Sequence, residues 1–316
     1  MTTGRYLDCT MPRRSFSIST DLKPLQRVKH LPALPARADD GHKGTFGRVL
    51  VVGGSVGMIG APVFAGLAAL RTGSGLVQLA VSMDVLNACL TLAPELIGLG
   101  LKPHDAKPLS DAVDQADVVV LGPGLGRSPG ASRLVSRLIR REDQRMVIDA
   151  DALNALSALP RWPTTFRARA VLTPHPGEMK RLLQLIDGSD VPQDQNGRIA
   201  VARKASLAFG QIVLLKGHQT VVTDGLRVYI NTTGDSSLAK AGTGDVLSGV
   251  IGSLMGQGMD AFDAACLGAF LHGLAGERAG RRLGKRSVLA RDVIDELPNV
   301  LMKYDRHTPS RRQSMD

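Results

Sequence analysis

The fold class is decided by residues 48–81, which read RVLVVGGSVGMIGAPVFAGLAALRTGSGLVQLAV. Two apolar runs, Arg48–Val52 and Leu76–Val81, lack the alternation of a half-exposed strand, which predicts parallel strands covered on both faces. Between these runs, Ala61–Thr72 has the length and composition of a helix that follows a glycine-rich turn. A strand, a helix and a second strand in this order predict a right-handed βαβ unit.

Strands and helices continue to alternate beyond this unit. We predict four more buried strands, at Val118–Leu121, Met146–Ile148, Val171–Thr173 and Ile212–Leu215. The further helices are predicted at Ser132–Arg141, Ala152–Leu159, Glu178–Leu185 and Arg198–Phe209. A hairpin follows, with strands Thr220–Thr223 and Arg227–Ile230, and then two buried helices joined by a turn within Val246–Gly276. The expected architecture is α/β, with a doubly wound and mostly parallel sheet flanked by helices.

The composition fits one folded domain without disulfides or membrane spans. Hydrophobic residues form 43% of the 316 residues, which is enough for a large core and excludes wholesale disorder. The 3 cysteines form no CxxC pair, which is typical of a reducing compartment, and polar residues interrupt the longest apolar stretch. We therefore expect a single domain at residues 24–303, tails at 1–23 and 304–316, and a cytoplasmic location. The N-terminal segment contains arginine and serine residues, and a transit peptide is the alternative interpretation of this segment.

The formal net charge of +10 raises the question of nucleic-acid binding. Much of this charge lies in the two tails and in the arginine-rich run from Arg133 to Arg145. Such patches bind polyanions in some proteins, but a solvated helix face gives the same pattern. Aromatic residues make up only 3%, and no nucleic-acid-binding motif accompanies the arginines, so we expect no nucleic-acid partner.

The strongest functional motif is AGTGDVLSG, residues 241–249, at the start of a predicted helix. Gly242 and Gly244 flank Thr243, and glycines at this place let backbone N–H groups point outward at a helix N-terminus. The partial positive charge there favours a phosphate group. Asp245, in the first turn, either takes a proton from a hydroxyl group beside the bound phosphoryl group or caps the helix.

Three other turns follow predicted strands, where the functional sites of open α/β sheets gather. In GPGLG, residues 122–126, Gly124 and its neighbouring glycines serve either the close approach of a ligand or a tight turn. His175 stands between two prolines and either contacts a ligand or lies in a surface loop. Lys216, just before Gly217, either contacts a nucleotide or is solvated.

The remaining polar candidates have weaker signals. Asp149 and Asp151 either face a metal-bound phosphate or cap the following helix. His272, on an apolar helix, is expected to be a satisfied core residue. The sequence contains no HExxH or CxxC metal motif and no P-loop. Residues 54–60 have the spacing GxxGxxG, which does not match the GxGxxG of a dinucleotide-binding turn.

Seven segments taken together resemble one family, the nucleotide-dependent NAD(P)H-hydrate dehydratases of the ribokinase-like superfamily. In chain order, from His42 to about Gly280, they are HKGTFGRVLVVGGS, GAPVFAGLAALRTGSGLV, VVLGPGLGRS, VIDADALNAL, LTPHPGE, LLKGHQTVV and AGTGDVLSG. GTGD alone would indicate only a ribokinase-like phosphotransferase, and the ordered set is far more specific. The resemblance implies ADP-dependent dehydration of hydrated NADH and NADPH, with release of AMP and phosphate; eukaryotic members of the family use ATP.

The resemblance also implies roles for individual residues. Asp245 matches the family's catalytic aspartate, which also contacts the substrate. Further contacts to the hydrated cofactor are implied for Ala61, Gly124 and His175. Nucleotide contacts are implied for Lys216, Gly217, His218, Gln219, Thr220, Gly242, Thr243 and Gly244, and an anion-binding loop for Asp235–Gly244. Mg²⁺ is expected to bridge the phosphates, through ligands that the sequence does not identify.

Expected partners and two alternative functions complete this interpretation. Members of the family often form homotetramers. A separate NAD(P)H-hydrate epimerase is expected, because the residues before His42 are too few for an epimerase domain. A small-molecule kinase of the same superfamily would share the GTGD motif but would not require the GPGLG, HPGE and KGHQT segments together. A non-catalytic nucleotide-binding protein with the same fold is the second alternative.

Overall fold

The computed structural model describes residues 24–102, 105–159 and 162–307. The tail predicted at 1–23 and most of the tail predicted at 304–316 lie outside the described residues. Within the described part, the strands are β1 (Gln26–Arg27), β2 (Arg48–Val52), β3 (Leu76–Ser82), β4 (Ile97–Leu101), β5 (Val118–Leu121), β6 (Arg145–Ile148), β7 (Arg169–Leu172), β8 (Ile212–Leu215), β9 (Val221–Thr223) and β10 (Arg227–Ile230). They form one sheet in the order β1-β10-β9-β8-β7-β6-β5-β2-β3-β4. Pairing is mostly parallel, and β9 runs antiparallel to both of its neighbours.

Helices cover both faces of this sheet. Over the same described residues they are α1 (Gly60–Arg71), α2 (Met83–Leu92), α3 (Lys107–Gln115), α4 (Pro129–Leu138), α5 (Ala150–Ser157), α6 (Trp162–Thr165), α7 (Pro176–Leu183), α8 (Gln195–Phe209), α9 (Thr243–Gly256), α10 (Ala261–Leu283) and α11 (Ala290–His307). A short 3₁₀ turn spans Ser236–Leu238. The predicted doubly wound α/β class is confirmed, and so are the two buried helices joined by a turn, which are α9 and α10.

Successive residues of β2 explain why the sheet is buried on both faces. Val49 and Val51 belong to a core cluster that includes residues of α1, α9 and α10. Leu50 and Val52 belong to a second cluster, which includes residues of α5, α7 and α8. Because side chains alternate across a strand, a run without polar residues fills both clusters at once.

Most predicted strands agree with the structure, whereas several predicted helices begin too late. The bounds of β2, β5, β8 and β10 are those predicted, and β3, β6, β7 and β9 differ by one or two residues at their ends. Helices α4 and α7 start at Pro129 and Pro176, ahead of the predicted Ser132 and Glu178. Proline is favoured at the first helical position, because its missing N–H group would have had no intrahelical partner there.

The sequence did not predict β1, β4, α2, α3, α6 or α11. Strand β4 reads IGLGL and lacks β-branched residues in its second half. A Cβ placed on Gly98 would lie 2.7 Å from Leu86 Cδ1, so helix α2 packs too closely on this strand for a larger residue. Helix α11 contains Pro298, and a proline inside a segment argues against a helix prediction.

Helix α9 is pressed closely against its neighbours. A Cβ on Gly249 would overlap the backbone carbonyl oxygen of Ala65 in α1, and one on Gly252 would lie 2.5 Å from Val120 Cγ2 in β5. These glycines let the helix lie directly on the middle of the sheet. Its N-terminus is thereby fixed at the edge where the parallel strands end.

The arginine-rich run lies mainly on the protein surface. Arg133, Arg137 and Arg140, on α4 and just after it, are exposed to solvent. This placement agrees with the interpretation of the run as a solvated face. In the part of the chain that the structure describes, no helix combines the length and the apolar character that a membrane crossing needs.

Candidate active site

The loops after β6, β7 and β8 meet the N-terminus of α9 around a cavity of about 720 Å³. This volume lies within the range of roughly 300–1,000 Å³ that is typical of small-molecule sites. The predicted site residues that line it are His175, Lys216, Gly217, His218, Gln219, Thr220, Gly242, Thr243, Gly244 and Asp245. The strand-end turns that the sequence singled out therefore form one cavity.

Ala61 and Gly124, both within the described part of the chain, lie outside the lining of this cavity. They are neighbours of one another, since a Cβ on Gly124 would lie 3.2 Å from Ala61 Cβ and 2.5 Å from Met58 O. Gly124 has a φ of +62°, which also favours glycine. Asp151 Oδ2 accepts a hydrogen bond of 2.9 Å from Gly126 N, so this aspartate holds the GPGLG loop.

The side chain of Thr243 forms hydrogen bonds with the segment that precedes α9. Its Oγ1 lies 2.8 Å from Leu238 O and 2.9 Å from Lys240 O. Gly242 is the N-cap residue with a φ of +90°, and its lack of a side chain leaves the first helical amides without a capping group. First-turn amides have no partner within their own helix, so this end of α9 can accept an anion.

Asp245 is half-buried in the first turn of α9, and the alternative role as N-cap is wrong because Gly242 occupies that position. No hydrogen bond to the Asp245 carboxyl group is found within the described residues. Burial, followed by the negative charge of Asp149, raises the pKa of Asp245 to about 7, against an opposing effect of Lys216. A carboxyl group with a pKa near neutrality is suited to act as a general base.

Lys216 is an ion-pair partner in the cavity wall, contrary to the solvated alternative. Its Nζ lies 2.7 Å from Asp149 Oδ1 and 3.8 Å from Glu178 Oε2, and the side chain is 19% exposed. Burial alone would lower the pKa of Lys216, but the two carboxylates outweigh burial and raise it. A Cβ on Gly244 would lie 3.4 Å from Nζ, so the ammonium group stands beside the N-terminus of α9.

Asp149 holds the Lys216 ammonium group in position. The residue is 1% exposed, and its Oδ2 accepts a hydrogen bond of 2.7 Å from Ser248 Oγ in α9. It occupies the N-cap position of α5, but its carboxylate makes no capping hydrogen bond to the described residues of that helix. Sequence reasoning missed Ser248, because nothing local marks a serine that pairs with a strand end 99 residues away.

His175 and Glu178 form a capping box at the start of α7. His175 Nδ1 accepts hydrogen bonds from Gly177 N at 3.0 Å and Glu178 N at 3.4 Å, and Glu178 Oε2 accepts one from His175 N at 2.8 Å. Burial, then Lys216 and Arg181, lower the pKa of His175. Because Nδ1 is an acceptor, the neutral ring carries its proton on Nε2 and can donate from the half-exposed side.

Glu178 is a functional candidate that the sequence did not single out. It is 5% exposed, and burial raises its pKa to about 7 although Lys216 opposes this. The three-residue spacing between His175 and Glu178 is the signal of a capping box and would have marked the position.

Arg198, which the sequence also did not indicate, supports the loop Lys216–Thr220 from α8. Its guanidinium Nη2 lies 3.4 Å from Leu215 O and 3.3 Å from Lys216 O, and Nη1 donates to His218 O. The loop contains Gln219 in the left-handed region, with a φ of +51°. A buried arginine thus fixes the backbone of a loop whose residues line the cavity.

His272 is buried, as predicted, but the prediction that it is satisfied in the core is wrong. It is 7% exposed and lines the cavity, and its Nε2 has no hydrogen-bond partner among the described residues. The described part of the chain also contains no group of three or more histidine, cysteine or acidic residues that could hold a metal ion.

Comparisons with known proteins agree on one family. A model of the NAD(P)H-hydrate dehydratase family matches residues 49–299. The bifunctional NAD(P)H-hydrate repair enzyme Nnr of Moorella thermoacetica is 45% identical over 282 residues, a match that covers 86% of this chain and 52% of that enzyme. The ADP-dependent (S)-NAD(P)H-hydrate dehydratase of Neisseria meningitidis serogroup B is 44% identical over 258 residues, with 80% and 84% covered. The chain spans about half the length of the first curated relatives it matches.

A solved structure gives the same result. The ADP/ATP-dependent NAD(P)H-hydrate dehydratase of Bacillus subtilis, co-crystallised with ATP and Mg²⁺, is similar with a TM-score of 0.73 and 28% identity. The match covers 86% of this chain and 95% of that chain, which confirms the expected ribokinase-like fold. The family match, the fold and the residues around the cavity agree, and the chain belongs to the NAD(P)H-hydrate dehydratase family.

Proposed function

We propose that this protein restores NADH and NADPH from their hydrates, with ADP as the phosphoryl donor and AMP and phosphate as the other products. One observation carries the proposal: Asp245 presents a half-buried carboxyl group, with no hydrogen bond from the described residues, at a helix end whose first amides are uncapped by a side chain. The names of the Neisseria and Bacillus relatives support the choice of reaction.

The N-terminus of α9 and Lys216 would hold the phosphoryl group that is transferred. Helix amides and an ammonium group both stabilise negative charge on phosphate oxygens. The Asp149–Lys216 ion pair and the Ser248 hydrogen bond keep the ammonium group in place. We assign the nucleotide to Lys216, Gly217, His218, Gln219, Thr220, Gly242, Thr243 and Gly244.

Asp245 would take the proton from the hydroxyl group of the hydrated nicotinamide ring. The hydroxyl oxygen then forms a bond to the terminal phosphorus of ADP, while the bond between that phosphorus and the bridging oxygen breaks and AMP leaves. In the second step, the ring carbon–oxygen bond breaks and phosphate departs with the electron pair. Loss of a proton from the adjacent carbon restores the ring double bond, so only water's elements leave the cofactor.

The hydrated cofactor would lie between Asp245 and the paired residues Ala61 and Gly124. His175, which lines the cavity, would donate from Nε2 to this substrate. The loop that contains Gly124 is linked to the catalytic carboxyl group electrostatically, since Asp151 holds Gly126 and also contributes to the raised pKa of Asp245. These assignments follow the family resemblance and the placement of the four residues.

Mg²⁺ is proposed to accompany the nucleotide. This ion usually binds substrate phosphates, several waters and only one or two protein carboxylates. Glu178 lines the cavity, and its Oε2 accepts a hydrogen bond from His175 N, but its Oε1 accepts no hydrogen bond from the described residues and would offer such a ligand atom. Both Asp149 oxygens, in contrast, are used by Lys216 and Ser248. The metal would supply charge neutralisation at the phosphates.

The remaining expectations stay proposals. We propose a homotetramer in the cytoplasm, a single domain at residues 24–303, and functional pairing with NAD(P)H-hydrate epimerase activity. One continuous sheet that carries all cavity loops supports the single domain.

The reaction can be tested by incubating the protein with hydrated NADH, Mg²⁺ and either ADP or ATP. Recovery of the reduced-nicotinamide absorbance with ADP is expected, and no recovery with either nucleotide would overturn the proposal. Asp245→Asn should abolish nearly all turnover while ADP binding persists, because the base is lost and the nucleotide contacts remain. Asp263→Asn is the matched control, since Asp263 lies in the first turn of α10 and does not line the cavity. Unchanged turnover in Asp245→Asn would refute the proposed base.

A further inference from the structure

One wall of the cavity is formed by α10 and by the segment that follows β10. Asn231 and Thr233 lie in this segment, and Ala269 and His272 lie on the helix. Asn231 Nδ2 donates to Thr233 O at 3.0 Å and to Ala269 O at 3.1 Å, and its Oδ1 lies 3.1 Å from Thr233 Oγ1. The polar side-chain atoms of Asn231 and Thr233 are therefore used within the protein.

His272 differs from these neighbours. Four buried side-chain polar atoms in the described part of the chain have no hydrogen-bond partner, and His272 Nε2 is the one whose residue lines the cavity. The residue is 7% exposed, so bulk water has little access to it. Buried polar atoms in folded proteins nearly always have a partner, and an orphan in a cavity wall points to a group supplied by a ligand.

The protonation state of the imidazole restricts that group. Burial lowers the pKa of His272 to about 4, a backbone hydrogen bond with Thr243 opposes this, and Lys216 lowers it further. The ring is therefore neutral at physiological pH, with one donor and one acceptor nitrogen. Because Nε2 has no partner among the described residues, we take Nδ1 as the donor to the Thr243 backbone, which leaves Nε2 as a bare acceptor.

We propose that His272 Nε2 accepts a hydrogen bond from the nucleoside part of the phosphoryl donor, either from the adenine amino group or from a ribose hydroxyl group. This inference rests on the proposed use of an adenine nucleotide in this cavity. Both groups are hydrogen-bond donors, which is what a bare ring nitrogen requires. Leu238 and Ala269 also line the cavity and provide apolar surface for a base or a sugar.

The consequence is selection among nucleotides. A nucleotide that presents a carbonyl oxygen or no polar atom at this point leaves Nε2 unpaired in a buried site. Sites built to bond a ligand donor reject analogues that lack it more strongly than apolar pockets do. His272 is thus a specificity-determining residue for the nucleotide.

The test measures nucleotide binding by isothermal titration calorimetry with the full chain. ADP is compared with IDP, which has a carbonyl oxygen in place of the amino group, and with 2′-deoxy-ADP and 3′-deoxy-ADP. Wild-type protein should bind one of the three analogues about 10-fold more weakly than ADP, the effect of one buried hydrogen bond. His272→Leu should weaken ADP binding by a similar factor and bind ADP and that analogue equally. The analogue that is affected identifies the donor as the amino group or as one of the hydroxyl groups.

Two further variants separate this role from packing. His272→Gln keeps a side-chain carbonyl oxygen at a similar reach and should recover much of the discrimination. Cys266→Ala removes volume from a buried position of the same helix outside the cavity lining and should leave the ADP-to-analogue ratio unchanged. Thermal unfolding of each variant establishes that it is folded.

Two results would overturn the inference: no discrimination by the wild-type protein among the four nucleotides, or equal weakening of all four by His272→Leu. The hydrate-repair assay on the same wild-type protein distinguishes this outcome from failure of the proposed function. Discrimination that depends on His272, in a protein that restores no NADH, would refute the proposed reaction and support the role of His272. Repair without such discrimination would do the reverse.

Discussion

Replacing Arg198 by methionine tests whether the loop Lys216–Thr220 requires a buried guanidinium group. The arginine is 8% exposed, and its Nη2 lies 3.4 Å from Leu215 O and 3.3 Å from Lys216 O. Its Nη1 also donates to His218 O. Methionine keeps the apolar stem and removes all of these donors, so the change removes the support of the loop backbone and little packing.

The size of the effect follows from the geometry of these bonds. A hydrogen bond from a charged donor contributes about 1.5–3 kcal/mol, and the two bonds from Nη2 are long and therefore weak. The hydrogen bond to His218 O therefore contributes most of the stabilisation. Without it, the loop conformation that lines the cavity should lose about 2 kcal/mol of stability. The left-handed conformation of Gln219 adds strain that the loop relieves once it is released. Since about 1.4 kcal/mol corresponds to a factor of ten, ADP affinity should fall roughly 30-fold.

Calorimetric titration of Arg198→Met with ADP measures this loss, and thermal unfolding shows whether the variant is folded. Arg203→Met is the matched control. Arg203 lies on the same helix and its Nε donates to a backbone carbonyl, that of Gly225, at 3.0 Å, but this carbonyl belongs to the β9–β10 turn. Arg203→Met should retain ADP affinity. An unchanged ADP affinity in folded Arg198→Met would refute the assigned role of the guanidinium group.

Two further predictions concern pH and packing. Burial and the charge of Asp149 raise the pKa of Asp245 to about 7, and in the proposed reaction the ionised carboxylate would be the proton acceptor. Therefore kcat/KM should rise as pH increases through about 7, and a profile that is flat across neutral pH would contradict the assignment. Gly249→Ala places a methyl group against the backbone of Ala65 and should reduce the free energy of unfolding in urea by about 1–3 kcal/mol. Gly60→Ala, whose Cβ would lie an ordinary 3.5 Å from Phe64, is the control, and equal losses in the two variants would argue against the packing account.

Much of the fold was predictable because its signals are local. The apolar run Arg48–Val52 predicts a strand buried on both faces, and the two core clusters that share its side chains confirm this. The GTGD turn likewise combines conformational freedom, an anion-binding helix end and an acidic residue within four positions. Strand β4 was not predicted, because its glycines weaken the sequence pattern of a strand. These glycines are required by the close packing of α2 on the strand.

The parts of the site that the sequence did not indicate are contacts between distant elements. Ser248 binds Asp149 across 99 positions, and Arg198 reaches the carbonyl of His218 from another helix. Neither residue belongs to a motif with its partner, so only the folded chain brings them together. For His272, the apolar helix predicts burial correctly, but it does not predict that the ring lies beside a cavity and that its Nε2 has no partner in the described part of the chain.

The charge balance of the cavity indicates why a nucleotide should arrive together with a divalent cation. The Lys216 ammonium group lies beside two carboxylates, Asp149 and Glu178, and burial raises the pKa of both Glu178 and Asp245 to about 7. A bare polyphosphate would add further negative charge, raise the pKa of Asp245 and keep the base protonated. A cation bound to the phosphates has the opposite effect, since it offsets the repulsion and favours the ionised carboxylate. The same binding event would therefore place the phosphoryl group at α9 and convert Asp245 into the form that accepts a proton.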